Sequence, residues 1–343
     1  MSLDIEGSIP PFENTKLFGH DEPQAFLANA FKSNRIHHAI LLEGEEGIGK
    51  ATLAFRFANH ILNHPEGETA PEVISDPDIE SPVYRQIMGG ASHNLMHIKC
   101  QIDAKTGKQK SAITVDDIRK TGKFFAQTSG SNNWRIAIID VADDLNRSAA
   151  NAILKILEEP PKRALFLVLS HSPGRLLPTI RSRCLSLRLR PLSDDDLKAA
   201  LSNLDALDGL DDSNIAKLLH LSEGSVSRAL TVLNYGGAEL ITLFNDIIDP
   251  NTVSERKTVH KLAESMAGKD QDVSYHFLIE HMIHHIMQTA KQAAYNGQLG
   301  RSAQLAELSE KLAHHKREAD IYNLDKKQTL LTLFSMISLQ EKA

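Results

Sequence analysis

The stretch Leu41 to Thr52, Leu-Leu-Glu-Gly-Glu-Glu-Gly-Ile-Gly-Lys-Ala-Thr, limits what this chain can fold into more than any other. The apolar run Ala39 to Leu42 predicts a buried strand, the glycines at 44, 47 and 49 a tight loop, and Lys50 the start of a helix running through Phe57 and ending near Leu62. Strand, glycine loop and helix in that order make a phosphate-binding loop. Its backbone N–H groups turn toward an anion, the helix N-terminus adds its positive end, and the lysine reaches the outer phosphates. One part is missing. The residue after the lysine should carry a hydroxyl for Mg²⁺, and it is Ala51. Thr52 does not replace it, because the next helical residue points about 100° away. Gly44, Gly47, Gly49, Lys50 and Thr52 are therefore expected to form a degenerate nucleotide site.

A strand of this kind belongs to an α/β sheet, and a chain of 343 residues has room for two or three domains. With 41% hydrophobic and 24% charged residues the composition is that of a folded protein, and the net charge of −6 argues against holding nucleic acid by general electrostatics alone. No apolar run approaches membrane-spanning length, and Met1 to Pro11 lacks the pattern of a signal peptide, so no membrane association and a cytoplasmic location are expected. Cys100 and Cys184, far apart in sequence, give no disulfide framework.

Along the chain, Leu17 to Ser33 reads as a loop entering a short helix, and Asn63 to Gly90, rich in Pro, Glu, Asp and Ser, as an irregular insertion. His60, His64, His93, His97 and Cys100 lack the paired cysteines of a structural zinc site, so no metal is expected there. Asn94 to Lys99 reads as a short strand, Ile113 to Phe125 as a helix opened by Thr114, and Gly130 to Asn133 as a turn. Arg135 to Asp140 is a second buried strand ending in a carboxylate, the form of a Walker B element, but Val141 stands where a glutamate would orient the attacking water. Asn146 to Leu157 reads as an amphipathic helix, ended by Glu158-Glu159-Pro160-Pro161. Between the strands Ala164 to Ser170 and Leu185 to Leu189, the stretch Leu176 to Cys184 carries two arginines two residues apart, Arg181 and Arg183. Beyond Pro191 the pattern is helical: Leu192 to Leu204, Ser213 to Leu233, Arg256 to Met266, Val273 to Ala294, Ala303 to His315 and Leu330 to Leu339. His281, His284 and His285 share one helix and are read as structural.

Four motifs carry a resemblance: Gly-Ile-Gly-Lys-Ala-Thr at 47 to 52, Ile-Ile-Asp-Val-Ala-Asp at 138 to 143, Asn-Ala-Ile-Leu-Lys-Ile-Leu-Glu-Glu-Pro-Pro at 151 to 161, and Leu-Leu-Pro-Thr-Ile-Arg-Ser-Arg-Cys at 176 to 184. In this order they resemble the delta-prime subunits of the bacterial DNA polymerase III clamp loader, within the AAA+ family. The resemblance implies an AAA+ P-loop core with a parallel sheet over residues 1–190, a helical lid over 191–240 and an all-α collar over 241–343. It also implies a stator in a hetero-pentamer with gamma/tau motor subunits and the delta subunit, a ring that places a sliding clamp on primed DNA as part of the polymerase holoenzyme. Arg183 then corresponds to an arginine finger acting in trans on a neighbour's nucleotide, a task suited to its planar, permanently charged fork. Asp140 takes the Walker B position, Ser170 that of the first sensor and Arg228 that of the second.

Many relatives carry a four-cysteine zinc module after the phosphate-loop helix, where this chain has residues 63 to 110 with only Cys100. No ATPase activity is expected of the isolated chain, no cofactor is required, and weak ADP or ATP binding without hydrolysis is the most the loop should retain. The competing hypotheses are an active AAA+ motor subunit of a clamp loader and another AAA+ remodelling enzyme. Ala51 and Val141 speak against both.

Overall fold

The computed structural model describes residues 5–102, 110, 112–126, 133–249, 256–268 and 270–341. They divide into two compact units, Gly7–Ser227 and a second built from Arg228 onward together with Ile5 and Glu6.

The first unit holds a five-stranded, wholly parallel sheet in the order β2-β3-β4-β1-β5. In chain order its elements are α1 (Asp21–Lys32), β1 (Ala39–Glu43), α2 (Lys50–Asn63), α3 (Pro82–Met88), β2 (Leu95–Ile98), α4 (Val115–Ala126), β3 (Arg135–Ile139), α5 (Arg147–Glu158), β4 (Ala164–Ser170), α6 (Pro178–Arg181), β5 (Leu185–Arg188), α7 (Asp194–Ser202) and α8 (Asp212–Ser222), with the first turn of α9 (Val226–Asn234) closing the unit. The central strands are apolar throughout because helices cover both faces. Alternate residues still separate cleanly. Ile40, Leu42, Ile136, Ile138, Leu165 and Leu167 pack with Leu27 and Phe31 of α1 and Leu53, Phe57 and Ile61 of α2. Ala39, Leu41, Ala137, Ile139, Phe166 and Val168 face the other way, onto Ile118 and Phe125 of α4 and Ile153 and Leu157 of α5. Parallel pairing brings the C-terminal ends of β1, β3 and β4 to one edge, where Glu43 pairs in register with Ser170.

The second unit is all-α: the rest of α9, then α10 (Gly237–Ile248), α11 (Arg256–Ser265), α12 (Asp272–Tyr295), α13 (Leu299–Tyr322) and α14 (Lys326–Glu341). Its core joins Phe244, Leu278, Met282, Leu312, Leu333 and Phe334. Among the described residues no helix is long and apolar enough to cross a membrane.

The α/β class, the parallel sheet and the helical C-terminal part agree with the sequence reading, but several elements differ. The insertion after α2 is not wholly irregular. Ser81 caps α3 by accepting the Tyr84 N–H at 3.1 Å, and Pro82 occupies the first turn, where its missing donor is harmless. The insertion is tied down by Arg56, which donates to the carbonyls of Thr15 and Ile74 and pairs with Asp76 at 2.8 Å, and by Trp134, whose indole donates to the Pro65 carbonyl at 3.0 Å. The helix expected over Ser213 to Leu233 is two helices, α8 and α9, because Glu223 and Gly224 both adopt positive φ and break the ladder. The helix α10 was not anticipated, and α13 and α14 are longer than expected because their solvent faces carry polar residues that mask the periodicity. The turn expected at Gly130 to Asn133 lies outside the described residues except at Asn133.

Candidate nucleotide site and arginine loop

The loop between β1 and α2 is closed on itself. Lys50 is only 4% exposed, and its Nζ donates to the Gly44 carbonyl at 2.8 Å and to the Glu45 carbonyl. Burial pushes the lysine down to about 8 from an ordinary 10.5, against the upward pull of Glu46, Asp143, Asp140 and Glu45. His20 holds the loop from the other side, with Nε2 2.6 Å from the Ile48 carbonyl, and burial lowers its pKa. The start of α9 lies on the loop. Ser225 Oγ donates to the Glu46 carbonyl at 2.9 Å, and the Val226 N–H donates to the Gly47 carbonyl at 3.0 Å. Gly47 has φ +76°, and a Cβ there would run into Ser225 Oγ and come within 2.6 Å of Ser227 Cβ, so the segment Ser225–Ser227 occupies the space above it. Gly49, in left-handed conformation, is the N-cap of α2, and Thr52 is buried within that helix.

The strand ends beside the loop are equally committed. Asp140 Oδ2 lies 3.1 Å from His97 Nε2. Burial raises the Asp140 pKa, but the His97 hydrogen bond and the nearby charges of His97, His171 and Lys50 outweigh it and hold the carboxyl below its ordinary value. Ser170 is fully buried and its hydroxyl donates to Asp143 Oδ1 at 3.1 Å. Asp143 also accepts the His171 N–H at 2.8 Å and the Ser172 N–H at 3.1 Å. Burial and the Lys50 charge push the His171 imidazole down to about 3, so it is neutral near pH 7. The Lys50 ammonium, the Asp140 carboxylate and the Ser170 hydroxyl thus each have a partner within the protein, and Ala51 and Val141 carry neither a hydroxyl nor a carboxylate.

Sequence reasoning brought Gly44, Gly47, Gly49, Lys50, Asp140 and Ser170 to one sheet edge, and the structure places them there. It missed Asp143, His97, His171 and Ser225. Asp143 had a signal, a second carboxylate three residues past the strand-ending Asp140, and Ser225 sits in a Gly-Ser-Val-Ser turn immediately before a helix. His97 was read among candidate metal ligands, whereas here its Nε2 faces Asp140. Cys100 donates to Asp144 at 3.5 Å, and burial together with that carboxylate pushes its thiol up to about 12, away from the thiolate a metal needs. The described residues contain no group of His, Cys, Asp and Glu that could hold a metal ion.

Arg228 belongs to the second unit. There its Nη2 donates to His281 Nδ1 at 2.9 Å, and its guanidinium lies 5.6 Å from the centre of the Phe277 ring. Arg183 stands on the loop after α6. It is 33% exposed, donating from Nη1 to the Thr179 carbonyl at 2.9 Å and from Nη2 to Glu158 Oε1 at 2.6 Å.

The family described as "DNA polymerase III, delta subunit" matches this chain over residues 19–193. The chain belongs to that family. The match runs from the residue before His20 to Ser193, the cap of α7, and so takes in the whole sheet, the phosphate loop and the Arg183 loop. The tau/gamma subunit of DNA polymerase III from Haemophilus influenzae is 32% identical over 208 residues, which cover 60% of this chain and 28% of that protein. The gamma subunit from Buchnera aphidicola subsp. Schizaphis graminum is 30% identical over 222 residues, 64% of this chain and 57% of its own. The delta' subunit from Pseudomonas aeruginosa is 33% identical over 148 residues, 43% of this chain and 41% of its own. The chain thus spans 28 to 57% of the length of these relatives. In structure, a gamma-subunit-related DNA polymerase III protein from Thermotoga maritima aligns with 93% of this chain and 99% of its own at a TM-score of 0.46 and 17% identity.

Proposed function

We propose that this chain is a delta-prime type, non-hydrolysing subunit of the DNA polymerase III clamp loader. It joins gamma/tau motor subunits and the delta subunit in a hetero-pentamer that places the sliding clamp on primed DNA, and it offers Arg183 to the nucleotide of the neighbouring motor subunit. Residues 1–190 serve as the AAA+ core, 191–240 as the lid and 241–343 as the collar through which the ring assembles. The observation that carries the reading is the self-satisfied phosphate loop. Lys50 is bound to its own loop's carbonyls, Ser170 to Asp143 and Asp140 to His97, in a chain that also lacks a hydroxyl at 51 and a carboxylate at 141. Phosphoryl transfer is mainly positioning and charge neutralisation, and the missing hydroxyl at 51 and carboxylate at 141 remove two groups that serve them. Arg183 keeps one third of its surface open, and a guanidinium can bridge phosphoryl oxygens as charge shifts between them.

A second reading, an active motor subunit, draws on the gamma and tau relatives, whose matches cover more of this chain than the delta' match does. Ala51 and Val141 weigh against it. The experiment is co-assembly: the purified chain mixed with gamma/tau and delta subunits is run by size exclusion, and the isolated chain is assayed for ATP turnover. Stoichiometric entry into one complex and no turnover by the chain alone are expected. Elution apart from the other subunits, or turnover abolished by Lys50→Ala, would overturn the proposal.

A further inference from the structure

Two arginines stand at the end of α6 and just after it, and the fold treats them differently. Arg181 ends α6, is exposed, and among the described residues has no carboxylate partner. Arg183 is held at both ends of its fork, Nη1 on the Thr179 carbonyl and Nη2 on Glu158 Oε1. The two anchors come from different elements. Thr179 lies in α6, while Glu158 is the last residue of α5, which stops there because Glu159 leaves helical geometry and Pro160 and Pro161 follow. A guanidinium held by one Nη alone can still swing about that bond, but held by both its plane is fixed. Its remaining N–H groups and its exposed third then face outward.

We infer that Glu158 is a positioning residue for Arg183: its carboxylate sets the plane in which the guanidinium is presented to an anionic group on a neighbouring subunit. This rests on the reading of Arg183 as a finger acting in trans. Glu158 does not touch the anion and acts only through Arg183. Because both partners are partly exposed, at 33% and 49%, the ion pair contributes little to folding stability, and its removal should leave the subunit intact. Its effect should appear where orientation matters, in the turnover of the assembled ring.

The test is a double-mutant cycle in the reconstituted clamp-loader complex, with DNA-stimulated ATP turnover measured over a range of ATP concentrations for wild type, Glu158→Gln, Arg183→Ala and the pair. Melting temperature and stoichiometry of entry into the ring serve as structural controls. Glu158→Gln keeps the shape and removes the charge. The expected result is unchanged melting and assembly, kcat lowered roughly twofold, by less than with Arg183→Ala, with KM for ATP little changed, and no further loss when Glu158→Gln is added to Arg183→Ala. Glu158→Asp should recover part of the rate. If Arg183→Ala lowers turnover and Glu158→Gln does not, or if Glu158→Gln raises it, the positioning role is wrong while the finger stands. A loss in the pair beyond that of Arg183→Ala alone would place Glu158 in some other task and also overturn the inference. Unchanged turnover with Arg183→Ala would remove the finger itself and the inference with it.

Discussion

The phosphate loop and the Arg183 loop belong to one compact unit, and each presents a cation that a phosphate could use. Lys50 is buried, with its ammonium on two carbonyls of its own loop, and the segment Ser225–Ser227 occupies the space over Gly47. Arg183 stands at the surface, held by one carbonyl and one half-exposed carboxylate. Two cations in one unit are thus held by very different means. Whether a cation is held by surrounding backbone or by a single exposed acid tells more about its present task than the motif does.

If the phosphate loop is now a structural joint between core and lid, damage to that joint should destabilise the fold. The largest effect is expected at Gly224, in the turn that leads into Ser225 and packs against Leu192. It has φ +77°, and a Cβ would lie 2.6 Å from the Leu192 carbonyl oxygen and 2.7 Å from the Leu192 nitrogen, both rigid backbone. Gly224→Ala should cost about 3 kcal/mol or more. By calorimetry the melting temperature should fall by roughly 6–12 °C. A shift within a degree would mean that the lid does not need this joint.

Next in size is Asp143. Asp143→Ala strips acceptors from the Ser170 hydroxyl and from the backbone N–H groups of His171 and Ser172. The cost should be about 2 kcal/mol, read as a melting temperature lowered by roughly 4–8 °C. Asp143→Asn, which keeps one acceptor oxygen, should lose less. In an open nucleotide site these groups would be free for ligand, and the substitution would leave apo stability unchanged.

The Lys50 effect is best seen through pH. Its pKa falls from 10.5 to about 8 on burial, so between those values the unfolded chain binds the proton that the folded chain has released. Stability therefore rises with pH across that window as far as Lys50 is concerned, and it carries the full cost of burying the charge below it. Urea melts of wild type and Lys50→Met should show wild type gaining on the variant from about pH 8 to pH 10.5. Parallel curves would place the ammonium in water.

Much of the core was legible in the sequence because its signals are local. A seven-residue apolar run such as Ala164 to Ser170, too short for a helix and preceded by Pro160-Pro161, reads as a strand covered on both faces, and the same prolines end α5. The helical half was less legible. The break between α8 and α9 depends on Glu223 and Gly224 reaching positive φ, and Glu223 carries no such signal by residue type. In the candidate site, the positions came from the motifs but their partners did not. The contacts Ser225 to Glu46, 179 residues apart, and His97 to Asp140, 43 apart, are tertiary facts with no local pattern. Glu158 was visible only as part of a helix stop, and its task toward Arg183 emerges once α5 and α6 lie side by side.

The most direct measurement sets the two cations against each other in one assembly: ATP turnover on primed DNA by rings reconstituted with wild type, Lys50→Met or Arg183→Ala. Loss of an arginine finger from a single-site enzyme lowers hydrolysis by ~10³ to 10⁵, and a ring with several motor sites should lose less, because only the site facing this subunit is affected. The expected result is a severalfold fall with Arg183→Ala and turnover close to wild type with Lys50→Met, both variants entering the ring normally. A fall with Lys50→Met and none with Arg183→Ala would contradict the account, returning the phosphate loop to catalysis and Arg183 to an ordinary surface charge.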